Sequence, residues 1–340
     1  MEKNKKVFYF DFIRVVSTVI IVTYHFFAHF DENGIMGMRF LSNEKWGMIG
    51  VTLFFMLSGA SLMHNYGKKL DIKKYALKRF LGIYPMFWIA YIGIFTYNFY
   101  SCKILMWNIP KYKILLSFFA MDGYLSVYTQ TFYLIGEWFL GCIIFIYILF
   151  PLLRIVLEKQ PIIALTIFMI LNFSILIFLK NTIMPINRNL IVCSYSFFLG
   201  MCAVKYIKKI KWYFAAAALF AAVLIYYLIP KQSSLNMKTL CANIIGNALF
   251  IVLAFIGQNL KEGNFTSLVT LLGKHSYAVF LVHHYIIMKM ENTFQNADLK
   301  KTGTLVLYIT CWIVIGICAK LLFVINKNVV RFFIKPKNQA

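Results

Sequence analysis

Residues Val7–Phe30 read VFYFDFIRVVSTVIIVTYHFFAHF, an apolar run long enough to cross a bilayer and broken by Asp11, Arg14, His25 and His29. Ionisable groups inside a membrane helix are costly and mark functional positions by default. At about 100° per residue, the eleven steps from Arg14 to His25 return to within roughly 20° of the starting direction. Both side chains therefore project from one face, roughly 16 Å apart along the axis. Asp11 lies one turn before Arg14 on that face. An anion-binding arginine near one membrane surface and a proton-handling histidine deeper in the bilayer point to chemistry conducted across a membrane. Each residue alone also has a structural reading. Arg14 can snorkel to the headgroups, and His25 can donate to a carbonyl of a neighbouring helix.

The rest of the chain extends this pattern. Hydrophobic residues make up 61% of the 340 and charged ones only 14%. That composition lies far from soluble norms and gives an all-α, polytopic membrane bundle. Ten spans are expected, near Val7–Phe30, Trp46–Met63, Gly82–Tyr100, Phe132–Leu153, Pro161–Leu179, Leu190–Val204, Trp212–Pro230, Thr239–Gly257, His275–Met290 and Thr304–Ile325. Ile114–Leu125 is apolar but too short to span, so it reads as interfacial or re-entrant. The whole chain reads as one integral-membrane domain, with residues 7–325 embedded and 326–340 a cytoplasmic basic tail.

The net charge of +23 is most informative in its distribution. With the N-terminus in the cytoplasm, 21 of the 35 Lys and Arg fall in cytoplasmic segments and 12 on the opposite side, counting Lys289 at the outer end of the ninth span, while Arg14 and Lys320 lie deeper within spans. This satisfies the positive-inside rule with both termini cytoplasmic. Charge confined to short loops excludes a nucleic-acid-binding domain. Met1–Lys6 and the following run resemble a signal peptide, but the run is too long, contains Asp11 and Arg14, and lacks a small-residue cleavage site, so it should be retained. The seven cysteines show no C-x-x-C or Cys/His spacing, and neither a metal site nor a disulfide framework is implied.

Three further places carry candidate chemistry. Glu137 is the only carboxylate well inside a later span. Counted from Phe132, it lies about 8 Å below the outer surface, a depth matching that of His25. A carboxylate beside an imidazole orients it and raises its basicity; the alternative is a helix-end glutamate reaching water. The basic run Lys68, Lys69, Lys73, Lys74, Lys78 and Arg79 serves mostly as a topology signal, but the part abutting the third span, Lys78 to Tyr84-Pro85, suits the phosphates of a cytosolic donor. His283-His284 lies midway along the ninth span, and because adjacent residues point about 100° apart, at most one faces the His25 stripe. His64 and His275 sit at cytoplasmic helix ends, where solvation is the default, and His29 lies one turn above His25.

Taken in order, these motifs resemble acyltransferase family 3, the integral-membrane O-acyltransferases of bacterial surface glycans. Phe10-Asp11-Phe12-Ile13-Arg14 followed by His25 resembles the family's opening Asp-x-x-Arg and its Arg-to-His spacing. Gly50 to Ser58-Gly59 resembles the second-helix signature, and Lys78-Arg79 leading to Tyr84-Pro85 the basic-to-proline motif. Trp138 to Pro151 and Ser276-Tyr277 to His283 resemble the two later motifs. The chain departs at Gly82, where many members carry a second arginine, and at Ile143, where many carry a glutamate.

The resemblance implies transfer of an acyl group, most often acetyl from acetyl-CoA, to a hydroxyl of a surface polysaccharide or its lipid-linked precursor. Acyl-CoA is then a co-substrate, with no tightly bound cofactor and no metal. Arg14, Lys78, Arg79 and Tyr84 would hold the donor, while His25, assisted by Asp11, Arg14 and either Glu137 or His283, would conduct the chemistry. The partners are acyl-CoA, the glycan and membrane lipid, with homodimerisation left open, and the location is the cytoplasmic membrane. A succinyl donor acting on an exported poly-aminosugar is the nearest rival. A glycan transporter is the rival from another class, but no clear inverted repeat is present. The charge count makes a direct prediction. A cysteine replacing Lys73 should escape a membrane-impermeant maleimide in intact cells and react after permeabilisation; labelling in intact cells would defeat the topology.

Overall fold

The computed structural model describes residues 7–30, 43–102, 108–180, 182–207, 210–229, 233–294 and 300–334. Among the described residues the regular structure is entirely helical. The α-helices are α1 (Phe8–Phe30), α2 (Glu44–Tyr66), α3 (Ile72–Cys102), α4 (Ile114–Phe118), α5 (Asp122–Leu125), α6 (Glu137–Lys159), α7 (Pro161–Phe178), α8 (Leu190–Tyr206), α9 (Trp212–Leu228), α10 (Leu235–Asn259), α11 (Asn264–Phe294) and α12 (Lys301–Ile334). Eight are long and apolar enough to cross a membrane, while α8 and α9 are shorter apolar helices. Together they correspond to the ten expected spans, and the protein is a multi-pass membrane protein.

The boundaries differ where local chemistry outweighs hydropathy. Lysine is a good helix former, so α3 begins at Ile72 and carries the basic run on its first turns. Asp71 accepts the Lys74 backbone N–H at 3.1 Å, satisfying one orphan donor of the first turn. This hydrogen bond, ahead of the Lys74 side chain, holds the Asp71 carboxyl below its usual range. Conversely, α6 begins at Glu137 and not at Phe132, because Gly136 has φ +90° and Glu137 φ +35°, which turns the chain sharply at that point. α12 runs helically to Ile334, so much of the expected tail is helix, and 335–340 lie outside the described residues.

The chain clusters into two compact units, residues 1–70 with 142–276 and residues 71–141 with 277–340. The divisions fall inside α6 and α11, so no single cut of the sequence separates them.

In the first unit α2 packs against α1, α8 and α10. Its contact with α8 is backbone on backbone. A Cβ at Gly59 would lie 2.0 Å from the Phe197 carbonyl oxygen, and one at Gly200 would lie 1.9 Å from that of Met56. The Ser58-Gly59 signature is thus a packing requirement: small residues let membrane helices approach where lipid supplies no hydrophobic driving force between them. Thr52 donates to Asn243 Oδ1 at 3.2 Å, tying α2 to α10. Arg154 donates twice to the Gly67 carbonyl, at 3.2 and 2.9 Å, and pairs with Glu158 at 3.0 Å, closing the end of α2. Asn236 donates to the Leu176 and Leu179 carbonyls at the end of α7. Each of these side chains satisfies a helix-end group that hydrocarbon cannot.

In the second unit α3 packs against α12. A ladder of aromatic donors on α3 holds the segment that follows it. Tyr84 donates to the Phe119 carbonyl at 3.4 Å, Trp88 to Phe118 at 2.9 Å and Tyr91 to Phe132 at 2.6 Å. The steps of four and three residues put all three donors on one face. Tyr84 lies eighteen residues before Cys102, roughly 27 Å back along the axis. The α4–α5 segment, with a corner at Ala120 (φ 57°), therefore folds back along α3.

The Gly59 contact is directly testable. Gly59→Leu drives a side chain into the backbone of α8, and overpacking of this kind costs about 1–3 kcal/mol or more. The variant should show a lowered melting temperature in detergent and a reduced membrane level, whereas Gly82→Ala, which meets nothing within 4 Å, should show neither.

Candidate functional site

The Arg14–His25 stripe lies on an unbroken helix, so the spacing argument applies to α1 as it stands. Arg14 Nη1 donates to Asp11 Oδ1 at 2.7 Å. The Asp11 side chain is 8% exposed and that of Arg14 28%, so the pair presents the guanidinium from a buried carboxylate. Asp11 is in turn confined by Gly273 of α11, where a Cβ would lie 3.2–3.4 Å from the carboxyl atoms. Thr18 donates to the Arg14 carbonyl at 2.8 Å and Ser17 to that of Ile13 at 2.8 Å, using their hydroxyls within the helix. His25 is half-buried, its ring 5.0 Å from that of Tyr24. An arginine fixed by a carboxylate binds an anion with its remaining N–H groups at little ordering cost.

The first unit also contains a cavity of about 670 Å³ lined by Trp46, Ile49, Ala222, Tyr226 and other apolar residues. Its one basic group, Lys45, is 1% exposed, donates to the Ile229 carbonyl and lies 5.6 Å from the centre of the Tyr226 ring. None of the sequence-derived candidates lines it, and it offers no acid–base pair.

The second unit holds Glu137, His283, Lys78, Arg79 and Tyr84. Glu137 is the first residue of α6, so the depth counted from Phe132 no longer applies. It is held in a left-handed backbone conformation, at a cost of about 1–3 kcal/mol for a non-glycine residue. At Gly136 a side chain is excluded twice over: φ is +90°, and a Cβ would lie 2.9 Å from the Phe87 ring. The partner that Glu137 meets is His284, whose Nδ1 contacts Glu137 Oε1. His283, one position earlier, is fully buried, and its Nδ1 lies 2.8 Å from the Phe280 carbonyl and 3.2 Å from that of Val279. Of the two adjacent histidines, the one outside the motif thus carries the carboxylate contact.

Glu137 and His284 line a cavity of about 280 Å³ together with Asn98, Tyr133, Tyr285 and Lys289. Tyr285 donates to Asn98 Oδ1. Lys289 lies 5.5 Å from the Tyr97 ring centre and 5.6 Å from that of Tyr285. Sequence reasoning singled out none of these last residues, because they lie at the ends of different helices and form no local pattern. Lys78 is exposed and Arg79 half-buried on the first turns of α3, whereas the Tyr84 hydroxyl is engaged with the Phe119 carbonyl. Among the described residues no group of three or more His, Cys, Asp or Glu side chains is placed to hold a metal ion.

Comparison with curated proteins and with solved structures returned no match. Comparison with protein families returned one, the family model described as an acyltransferase domain, matched by residues 7–324. That match takes in every motif from Asp11 to His283, and the chain belongs to acyltransferase family 3.

Proposed function

We propose that this membrane acyltransferase is an O-acetyltransferase of the cytoplasmic membrane. It takes the acyl group from cytosolic acetyl-CoA and passes it to a hydroxyl of a cell-surface polysaccharide or its lipid-linked precursor. The carrying observation is the Asp11–Arg14 pair at 2.7 Å on the same unbroken helix as His25. Family membership supports acyl transfer in general, and the stripe on α1 supports a donor bearing phosphates.

In this reading the partly exposed Arg14 holds the CoA phosphates through its fork, with Lys78 and Arg79 of α3 adding positive charge on the cytoplasmic side. Tyr84 contributes by fixing the segment that folds back along α3, since its hydroxyl is already engaged. The thioester extends along the stripe toward His25, roughly 16 Å further along α1. There the imidazole either accepts the proton of the acceptor hydroxyl or carries the acyl group transiently.

Two variants separate donor binding from chemistry. Arg14→Lys keeps the charge but loses the bidentate fork. A charge-assisted hydrogen bond is worth about 1.5–3 kcal/mol, so acetyl-CoA should bind roughly 10–100-fold more weakly while the protein stays folded. Unchanged donor affinity by calorimetry on the purified variant would sink this assignment. His25→Ala should abolish glycan acetylation in a single-turnover assay with labelled acetyl-CoA, yet leave the donor dissociation constant within about threefold, because the two side chains lie roughly 16 Å apart. Near wild-type transfer by His25→Ala would remove the mechanism.

A further inference from the structure

The second unit contains a feature that the donor stripe on α1 does not use: a carboxylate–imidazole pair facing a cavity of about 280 Å³. We propose that this cavity is the acceptor subsite, that it takes one hydroxylated sugar ring, and that the Glu137–His284 pair withdraws the proton from the hydroxyl being acylated. The inference rests on the O-acyl transfer reading above and adds to it the place and the base of the acceptor half-reaction.

Size is the first argument. Ligand pockets span about 300–1,000 Å³, so this cavity lies at the small end and suits a single ring better than an extended chain or a CoA molecule. Lining is the second. Tyr133 and Phe280 offer ring faces, Asn98 and Asn292 offer amides, and Lys289 adds a cation to the lining. Apolar faces with a few convergent donors and acceptors are what a ring with apolar faces and a hydroxylated rim requires. By contrast, the cavity of about 670 Å³ in the first unit is apolar and has no acid–base pair.

The third argument is the geometry of the pair. His284 faces Glu137 through Nδ1. A carboxylate at Nδ1 fixes the tautomer with the proton there, leaving Nε2 as the basic nitrogen and stabilising the imidazolium that forms. The backbone that carries the carboxylate is closely constrained: Gly136 and Glu137 hold left-handed φ values, and Phe87 leaves no room for a side chain at Gly136. The fourth is orientation. The cavity is built from the last turns of α3, the first residues of α6 and the later part of α11. With the N-terminus cytoplasmic, all three parts belong to the extracytoplasmic side, where an exported glycan would be modified.

The reaction then balances as follows. His25 first attacks the thioester: its ring nitrogen bonds the acyl carbon, the carbon–sulfur bond of acyl-CoA breaks, and the CoA thiolate leaves with the proton released from the imidazole. The sugar O–H proton then passes to His284 Nε2, the oxygen forms the new ester bond with the acyl carbon, and the bond from that carbon to His25 breaks, its nitrogen recovering the proton from the His284 imidazolium. Glu137 is a positioning residue that keeps its contact with His284.

The test uses purified full-length protein in nanodiscs, labelled acetyl-CoA, and surface polysaccharide extracted from a strain lacking the gene. His284→Gln should lower kcat by about 100-fold or more, the usual share of a general base, with acetyl-CoA affinity and melting temperature near wild type. Glu137→Gln should lower it less. In His284→Ala, added imidazole should restore transfer, and substituted imidazoles should restore it in proportion to their basicity. Asn292→Ala should raise the acceptor KM by roughly 3–10-fold with little change in kcat, the effect of one lost hydrogen bond. Wild-type kcat in His284→Gln, or loss without azole rescue and with a lowered melting temperature, would overturn the proposal. If the wild-type protein binds acetyl-CoA but acylates no glycan, the O-acyl transfer reading itself fails, and the subsite falls with it.

Discussion

In a helix bundle surrounded by hydrocarbon, a charged side chain persists only where another group meets it, because the cost of an isolated buried charge is many kcal/mol. Four sites in the structure show how this constraint is met. Asp11 holds Arg14, Arg154 closes α2 and pairs with Glu158, Lys45 meets the end carbonyl of α9, and Glu137 meets His284. The pairs differ in what they leave accessible. Arg154 directs two of its donors at one carbonyl, whereas Arg14 gives one nitrogen to Asp11 and keeps 28% of its side chain exposed. The first arrangement closes a helix end, and the second leaves part of a guanidinium accessible.

The same environment dictates how the helices pack. Lipid tails are as apolar as leucine, so burial alone does not drive helices together, and contact must come from close fit. That is why Gly59 and Gly200 sit backbone to backbone, and why α2 shows no single apolar face although it lies against three neighbours. It also explains why large hydrophobic side chains such as Ile148, Phe220 and Ile313 are exposed: they belong to the lipid-facing surface.

The sequence discloses what is periodic or local. The Asp11–Arg14 pair follows from a three-residue step, the common face of Arg14 and His25 from an eleven-residue step, and the number of apolar helices from run length. What it conceals depends on rotation and backbone shape. Which of His283 and His284 meets Glu137 is decided by the turn of α11 against the start of α6, and adjacent residues give no pattern to choose by. The start of α6 is set by left-handed φ at Gly136 and Glu137, and no hydropathy count registers a dihedral angle. Hydropathy likewise stops at lysines, although they extend helices well, so α3 begins ten residues before its apolar run. Tyr84 looked like a ligand because its motif is basic, yet its hydroxyl is spent on the carbonyl of Phe119.

α3 finally shows why such a protein needs long helices. Arg79 near its start and Asn98 near its end are roughly 28 Å apart along one axis, close to the roughly 30 Å thickness of a bilayer core. A helix with basic residues near one end and a cavity-lining amide near the other cannot bring both to the same membrane face. Two polar ligands bound at its two ends would be kept apart by the full width of the hydrocarbon, and neither could cross it unaided. In the proposed reaction the thioester arm of the donor covers the stretch from Arg14 to His25, and only the acyl group passes beyond it. That proposal requires Arg14 and His25 to share one continuous helix face, as they do on α1. Their separation there, about 16 Å, is roughly half the depth to be covered.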